Sequence, residues 1–94
     1  MILKVSMAGR MSILKVSIRQ VKAARALLGW SQDDLAASAG VSIPTIKRLE
    51  ASDDTLGGRA ETSSRILRAL QTAGIEFIEQ NGGGPGVRLR KPIR

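Results

Sequence analysis

The stretch SQDDLAASAGVSIPTIKRLE, residues 31–50, decides the fold of this 94-residue chain. Ser31 and Ser42 each precede an apolar pattern of helical spacing, where a side-chain oxygen can accept from an N–H that the first turn leaves unpaired. After Ser31 the apolar Leu35, Ala36 and Ala39 fall at that spacing, and Gly40 offers a left-handed residue that ends a helix without a Cβ clash. After Ser42, Pro44 is tolerated because its missing N–H falls in the first turn, and Ile46 and Leu49 share a face as far as about Glu50. Two short helices are expected, the first ending at Ala39, joined through residues 40–42.

Outward from this pair the helical period continues on both sides. Ser17 is placed to cap an earlier helix, with Val21, Ala24, Leu27 and Leu28 as its core stripe and Gly29 as its stop. Trp30 then closes the corner to the next helix, a more common task than stacking on a base. Residues 51–59 read as a polar loop in which Asp53 and Asp54, with no third ligand nearby in sequence, are solvated. A fourth helix begins at Glu61 or Thr62, packs Ile66, Leu67, Leu70 and Ala73, leaves Arg65 and Arg68 to water, and ends at Gly74.

Beyond Gly74 the period falls to two. Ile75, Phe77 and Glu79 alternate with Glu76 and Ile78, and Val87 and Leu89 with Arg88 and Arg90, so two short strands flank NGGGPG, residues 81–86. That run lacks the Lys-Ser/Thr ending and the following helix of a phosphate loop, and reads as a hairpin turn. A lone hairpin is marginal in water and needs a surface to cover it. A second copy is the expected partner, with Phe77, Ile78, Val87 and Leu89 at the dimer interface.

Short, close-set capped helices with a glycine in the turn suit a helix-turn-helix better than an antiparallel pair. The run WSQDDLAASAGVSIPTIKRLE, residues 30–50, resembles the Cro/CI-type helix-turn-helix family of phage and plasmid repressors. It matches Ser-Gln-x-x-Leu-Ala, Gly-Val-Ser, Thr-Ile and a hydrophobic-Glu pair without a gap. The likeness extends back through VSIRQVKAARALLG and forward through ETSSRILRALQTAGI, covering residues 16–75. It implies a mainly α, four- to five-helix, lambda-repressor-like domain that binds double-stranded DNA to regulate transcription. Residue by residue it sets Gln32 against a phosphate and Ser42, Ile43, Pro44, Thr45 and Arg48 on the groove face. Ile43 and Pro44 replace the polar residues of many relatives, and suit thymine methyl groups. Arg48 has the fork that matches guanine O6 and N7, whereas Lys47, one residue round the helix, suits phosphate. An arginine on an exposed helix is usually just solvated; the surrounding motif is what favours a reading role here.

Charge agrees with a polyanionic partner. The formal net charge is +7, yet residues 31–79 hold five basic against eight acidic residues. The excess lies in Lys4, Arg10, Lys15, Arg19, Lys22 and Arg25 and in the tail Arg88, Arg90, Lys91 and Arg94. Beside a DNA-reading motif, Arg19, Lys22, Arg88 and Arg90 are expected at phosphates. There is no cysteine, histidine or tyrosine, and no nucleophile–base pair, so neither an enzyme nor a cofactor or metal is expected. No apolar run approaches the ~20 residues that span a bilayer, and no signal peptide is evident, so the expected place is the cytoplasm.

The expected organisation is an N-terminal arm or strand over residues 1–15, the helical domain over 16–75, and a hairpin with basic tail over 76–94. ILKVS occurs twice, at residues 2–6 and 13–17, and a start at Met1, Met7 or Met11 is compatible with the sequence. One recognition helix contacts few base pairs, so a homodimer on a palindromic operator, with half-sites roughly 34 Å apart, is the expected unit. Bound over a promoter it would exclude RNA polymerase; some relatives also activate by touching polymerase. The competing reading is an antitoxin or anti-regulator that acts through a protein antagonist or partner.

Overall fold

The computed structural model describes residues 16–80 and 82–90. Lys4, Arg10, Lys15 and the expected arm over 1–15, along with Asn81, Lys91 and Arg94, lie outside the described residues. The described chain runs α1 (Ile18–Leu28), α2 (Gln32–Ala39), α3 (Ile43–Glu50), α4 (Ala60–Thr72), β1 (Ile75–Ile78) and β2 (Gly86–Leu89). Four helices are thus present among the described residues, the lower number of the expected range.

The caps act as the sequence suggests. Ser17, Ser31 and Ser42 accept from the backbone N–H of Gln20, Asp34 and Thr45 respectively. In the first two, the side chain of Gln20 or Asp34 reaches back to the cap N–H, closing a capping box. Gly29 and Gly40 end α1 and α2 at φ +69° and +72°, a region that strains any residue with a Cβ. α4 starts at Ala60, one residue before the expected range, because Ser63 N–H already bonds to the Arg59 carbonyl at 3.0 Å. Its cap position, Arg59, makes no side-chain capping bond.

Ile18, Val21, Ala24, Leu35, Ile46, Ile66, Leu70 and Ile75 form the centre of the core, each at most 2% exposed. Leu28 and Trp30 pack against it from the side. Leu27 does not join the expected stripe: it is 46% exposed, because Ile18, Val21 and Ala24 define the buried face of α1. The loop after α3 is strapped to the start of α1 by Ile18 N–H to Asp54 O at 2.8 Å and Leu56 N–H to Val16 O at 2.9 Å.

β1 and β2 pair antiparallel, with Ile75 opposite Leu89 and Phe77 opposite Val87. The hairpin, for which a second copy is the expected partner, finds part of its cover within its own chain. Phe77 and Val87 pack against the helical core. Gln20, 7% exposed, extends from α1 to donate through Nε2 to the carbonyls of Gly86 at 2.9 Å and Ile78 at 3.4 Å, while its Oε1 accepts from Ser17 N–H at 2.9 Å. One buried amide therefore serves the cap of α1 and the mouth of the hairpin together. Gln20→Ala is expected to lower the unfolding free energy by about 1–3 kcal/mol. Amide exchange should quicken more in β1 and β2 than in α4; an even loss across the chain would show that Gln20 does not hold the hairpin.

Candidate nucleic-acid interface

α3 is held by its last residue. Glu50 is 6% exposed, and a buried carboxylate is tolerable only with full pairing. Arg25 of α1 supplies a two-pronged contact, Nε to Oε2 at 2.9 Å and Nη2 to Oε1 at 2.7 Å, and its Nη1 donates to the Trp30 carbonyl at 3.0 Å. Gln32, the first residue of α2, adds Nε2 to Oε1 at 3.0 Å. Burial pushes the Glu50 carboxyl up, but the hydrogen bonds from Arg25 and Gln32 and the charges of Arg25 and Lys22 together outweigh it, leaving the group below the usual carboxylate range. Three helices meet at this one group.

With Ile46 and Glu50 turned inward, α3 exposes Ser42, Ile43, Pro44, Lys47 and Arg48. Ile43 is 37% exposed, an apolar tip on an open helix face. Thr45 is half-buried, and its hydroxyl lies 2.7 Å from that of Ser42. Ser42 Oγ also accepts from the Thr45 N–H, so whichever hydroxyl donates to the other, one proton of the pair remains to be offered outward. Among the described residues neither Lys47 nor Arg48 has a side-chain hydrogen bond or ion pair. Arg48 borders a polar notch of about 250 Å³ that also includes Thr45, Gly58, Arg59 and Thr62. Arg59 escaped notice in the sequence because it looks like one more loop charge; its place at the start of α4 is what sets it beside Arg48.

The other cations expected at phosphates have partners in the chain. Lys22 Nζ reaches Asp53 at 3.1 Å and Arg19 Nη2 at 3.6 Å. Lys22's hydrogen bond and charge, helped by Arg19, hold the Asp53 carboxyl below its ordinary range. Asp53 is exposed, as expected of a solvated loop, and its carboxylate also faces these two cations of α1. Arg88 bonds Glu76 across the hairpin through Nε at 2.9 Å and Nη2 at 2.8 Å, and Arg90 donates to the Gln71 carbonyl at 3.3 Å. Gln32 is turned to Glu50. Arg65, expected to face water, is half-exposed but bonds both the Gly40 carbonyl and Glu61. Of the expected dimer residues, Phe77 and Val87 pack on the core, Ile78 is half-buried, and Leu89 is 44% exposed.

A protein-family model described as helix-turn-helix matches residues 21–77, more than half of the chain. The match takes in α1 from Val21, all of α2, α3 and α4, and most of β1. No curated protein sequence matches the chain significantly. Among the described residues no helix is long and apolar enough to cross a membrane.

Arg25→Met leaves Glu50 buried without its main partner and is expected to cost about 3–5 kcal/mol in denaturant unfolding. Because the folded-state pKa of Glu50 is depressed, its contribution is present above the unfolded pKa and is lost as pH falls through the folded one. The stability gap between wild type and Glu50→Gln should therefore be widest near neutral pH and narrow on acidification through the carboxylate range. A gap that does not change with pH would show that the carboxylate's charge is not what holds α3.

Proposed function

We propose, from the premise that this chain belongs to the Cro/CI-type helix-turn-helix family of DNA-binding transcription regulators, that it is a repressor binding a palindromic operator as a homodimer. The observation that carries this reading is the outer face of α3, where Arg48 and Lys47 have no partner among the described residues, on a helix fixed from behind by a buried ion pair. A guanidinium already committed to a carboxylate must give up that bond to read a base; among the described residues Arg48 has none to give up. Arg48 reads guanine, Ser42 and Thr45 offer hydroxyls to base edges, and Ile43 and Pro44 contact thymine methyl groups. Lys47 and Arg59 meet the flanking phosphates.

Arg19, Lys22, Arg88 and Arg90 serve at phosphates in a second rank. Their contacts to Asp53, Glu76 and a carbonyl are largely solvent-exposed, and exposed pairs are weak enough for a phosphate to replace. Gln32 stays with Glu50 and supports the phosphate contact of α2 through the position of the helix. The dimer forms through the hairpin's outer surface, with Leu89 and Ile78 contributing more than Phe77 and Val87, which the chain's own core already covers.

Selection of bound sequences from a random duplex pool tests the reading. Arg48→Ala is expected to relax one guanine position by about 1–3 kcal/mol while Lys47→Ala weakens all sequences alike. An unchanged consensus for Arg48→Ala would remove it from the reading surface. Sedimentation of the protein should show a dimer that Leu89→Lys weakens; a monomer at micromolar concentration would defeat the hairpin interface.

A further inference from the structure

Between the end of α2 and the second half of α4 runs an open groove of about 620 Å³. Small residues make it: Ala39, Ala69 and Ala73 leave the space that larger side chains would fill, and Trp30 forms a wall. Its rim is basic. Arg65 spends one nitrogen on the Gly40 carbonyl and another on Glu61, but Arg68 is exposed and has no hydrogen bond or ion pair among the described residues. Among the described residues no carboxylate lines the groove.

We propose that this groove docks an acidic peptide segment of a partner protein, one that inserts an aliphatic or aromatic side chain against Trp30 and places a carboxylate on Arg68. An apolar floor lies beside a guanidinium that has no partner among the described residues: an anchor residue without charge would leave Arg68 unused, and a small anion would leave the floor uncovered. The chain's own stretches outside the described residues are poor occupants on charge, since residues 1–15 carry Lys4, Arg10 and Lys15 and residues 91–94 carry Lys91 and Arg94, with no acidic residue in either.

The groove also lies apart from the outer face of α3. None of its lining comes from α3, and along α4 its arginines lie one to two turns past Thr62, the α4 residue in the notch beside Arg48. At 1.5 Å per residue that separates Arg68 from Thr62 by about 9 Å along the helix. A regulator could therefore hold its operator and an acidic partner together, and the proposal does not depend on which sequence α3 reads.

Trp30 is the chain's single tryptophan and there is no tyrosine, so the chain's long-wavelength emission comes from the wall of the groove. The test is selection of short random peptides displayed on phage against the full chain, followed by titration of the enriched peptide with Trp30 fluorescence as readout. The expected result is enrichment of Asp or Glu flanking a Leu, Met or Phe, a shift in Trp30 emission on binding, and roughly tenfold or weaker affinity in Arg68→Glu. Thr72→Glu, a second exposed rim position, should weaken binding in the same direction with the fold unchanged by circular dichroism. Duplex binding by Arg68→Glu should match wild type, which separates failure here from failure of the DNA-binding reading. Peptides without acidic bias, affinity that survives Arg68→Glu, competition by duplex DNA for the Trp30 signal, or a change of oligomeric state in Arg68→Glu would each overturn the proposal.

Discussion

The Glu50 carboxylate, taken out of water and gripped by Arg25 and Gln32, is the interaction on which the rest of this structure depends. α2 and α3 are eight residues each, too short to be stable alone, and they bury only Leu35, Ala36, Ala39 and Ile46 fully, with Leu49 packed partly against the core. A charge at the end of α3, its side chain 3% exposed, cannot stay buried unless Arg25 is in place, and Arg25 in turn holds the carbonyl of Trp30 at the corner before α2. Apolar packing allows neighbouring helices some sliding. A bidentate guanidinium–carboxylate contact allows little, and so fixes the angle at which α3 presents its outer face.

That arrangement sorts the cations. The chain is strongly basic, but most of the positive side chains among the described residues are answered locally: Arg19 and Lys22 by Asp53, Arg25 by Glu50, Arg65 by Glu61, Arg88 by Glu76, and Arg90 by the Gln71 carbonyl. Lys47, Arg48, Arg59 and Arg68 remain. The first three cluster on α3 and at the corner with α4, where nucleic acid is proposed to lie, and the fourth sits apart on the α2–α4 groove. Total charge is a poor guide to where a polyanion binds; the unpaired residue is the informative one.

The helices were largely legible in the sequence because their signals are local. Ser17, Ser31 and Ser42 cap what they precede, Gly29 and Gly40 end what they follow, and the hairpin announces itself by a change of period around a glycine-rich turn. The contacts that span the chain left no such trace. Glu50 enters the sequence reading as one position of the matched motif and the end of a helix, and nothing in its neighbours says that a residue twenty-five positions earlier will neutralise it. Gln20 reads as a polar residue on a helix, yet it joins the cap of α1 to carbonyls 58 and 66 positions away. Leu27 shows the converse, an apolar residue at the right spacing that the burial of Val21 and Ala24 leaves outside. In the interface, the reading face of α3 came from the motif, while the company Arg48 keeps with Arg59 required the fold.

In the proposed complex, DNA meets α3 and the start of α4. The direct measurement is a map of backbone amide shifts during titration with the duplex recovered by selection. That contact predicts the largest changes in residues 42–48 and at Arg59 and Thr62, with smaller ones at the start of α2 and little at Trp30, Ala69 and Ala73. Changes concentrated on the α2–α4 groove or on the hairpin, with α3 unmoved, would contradict it.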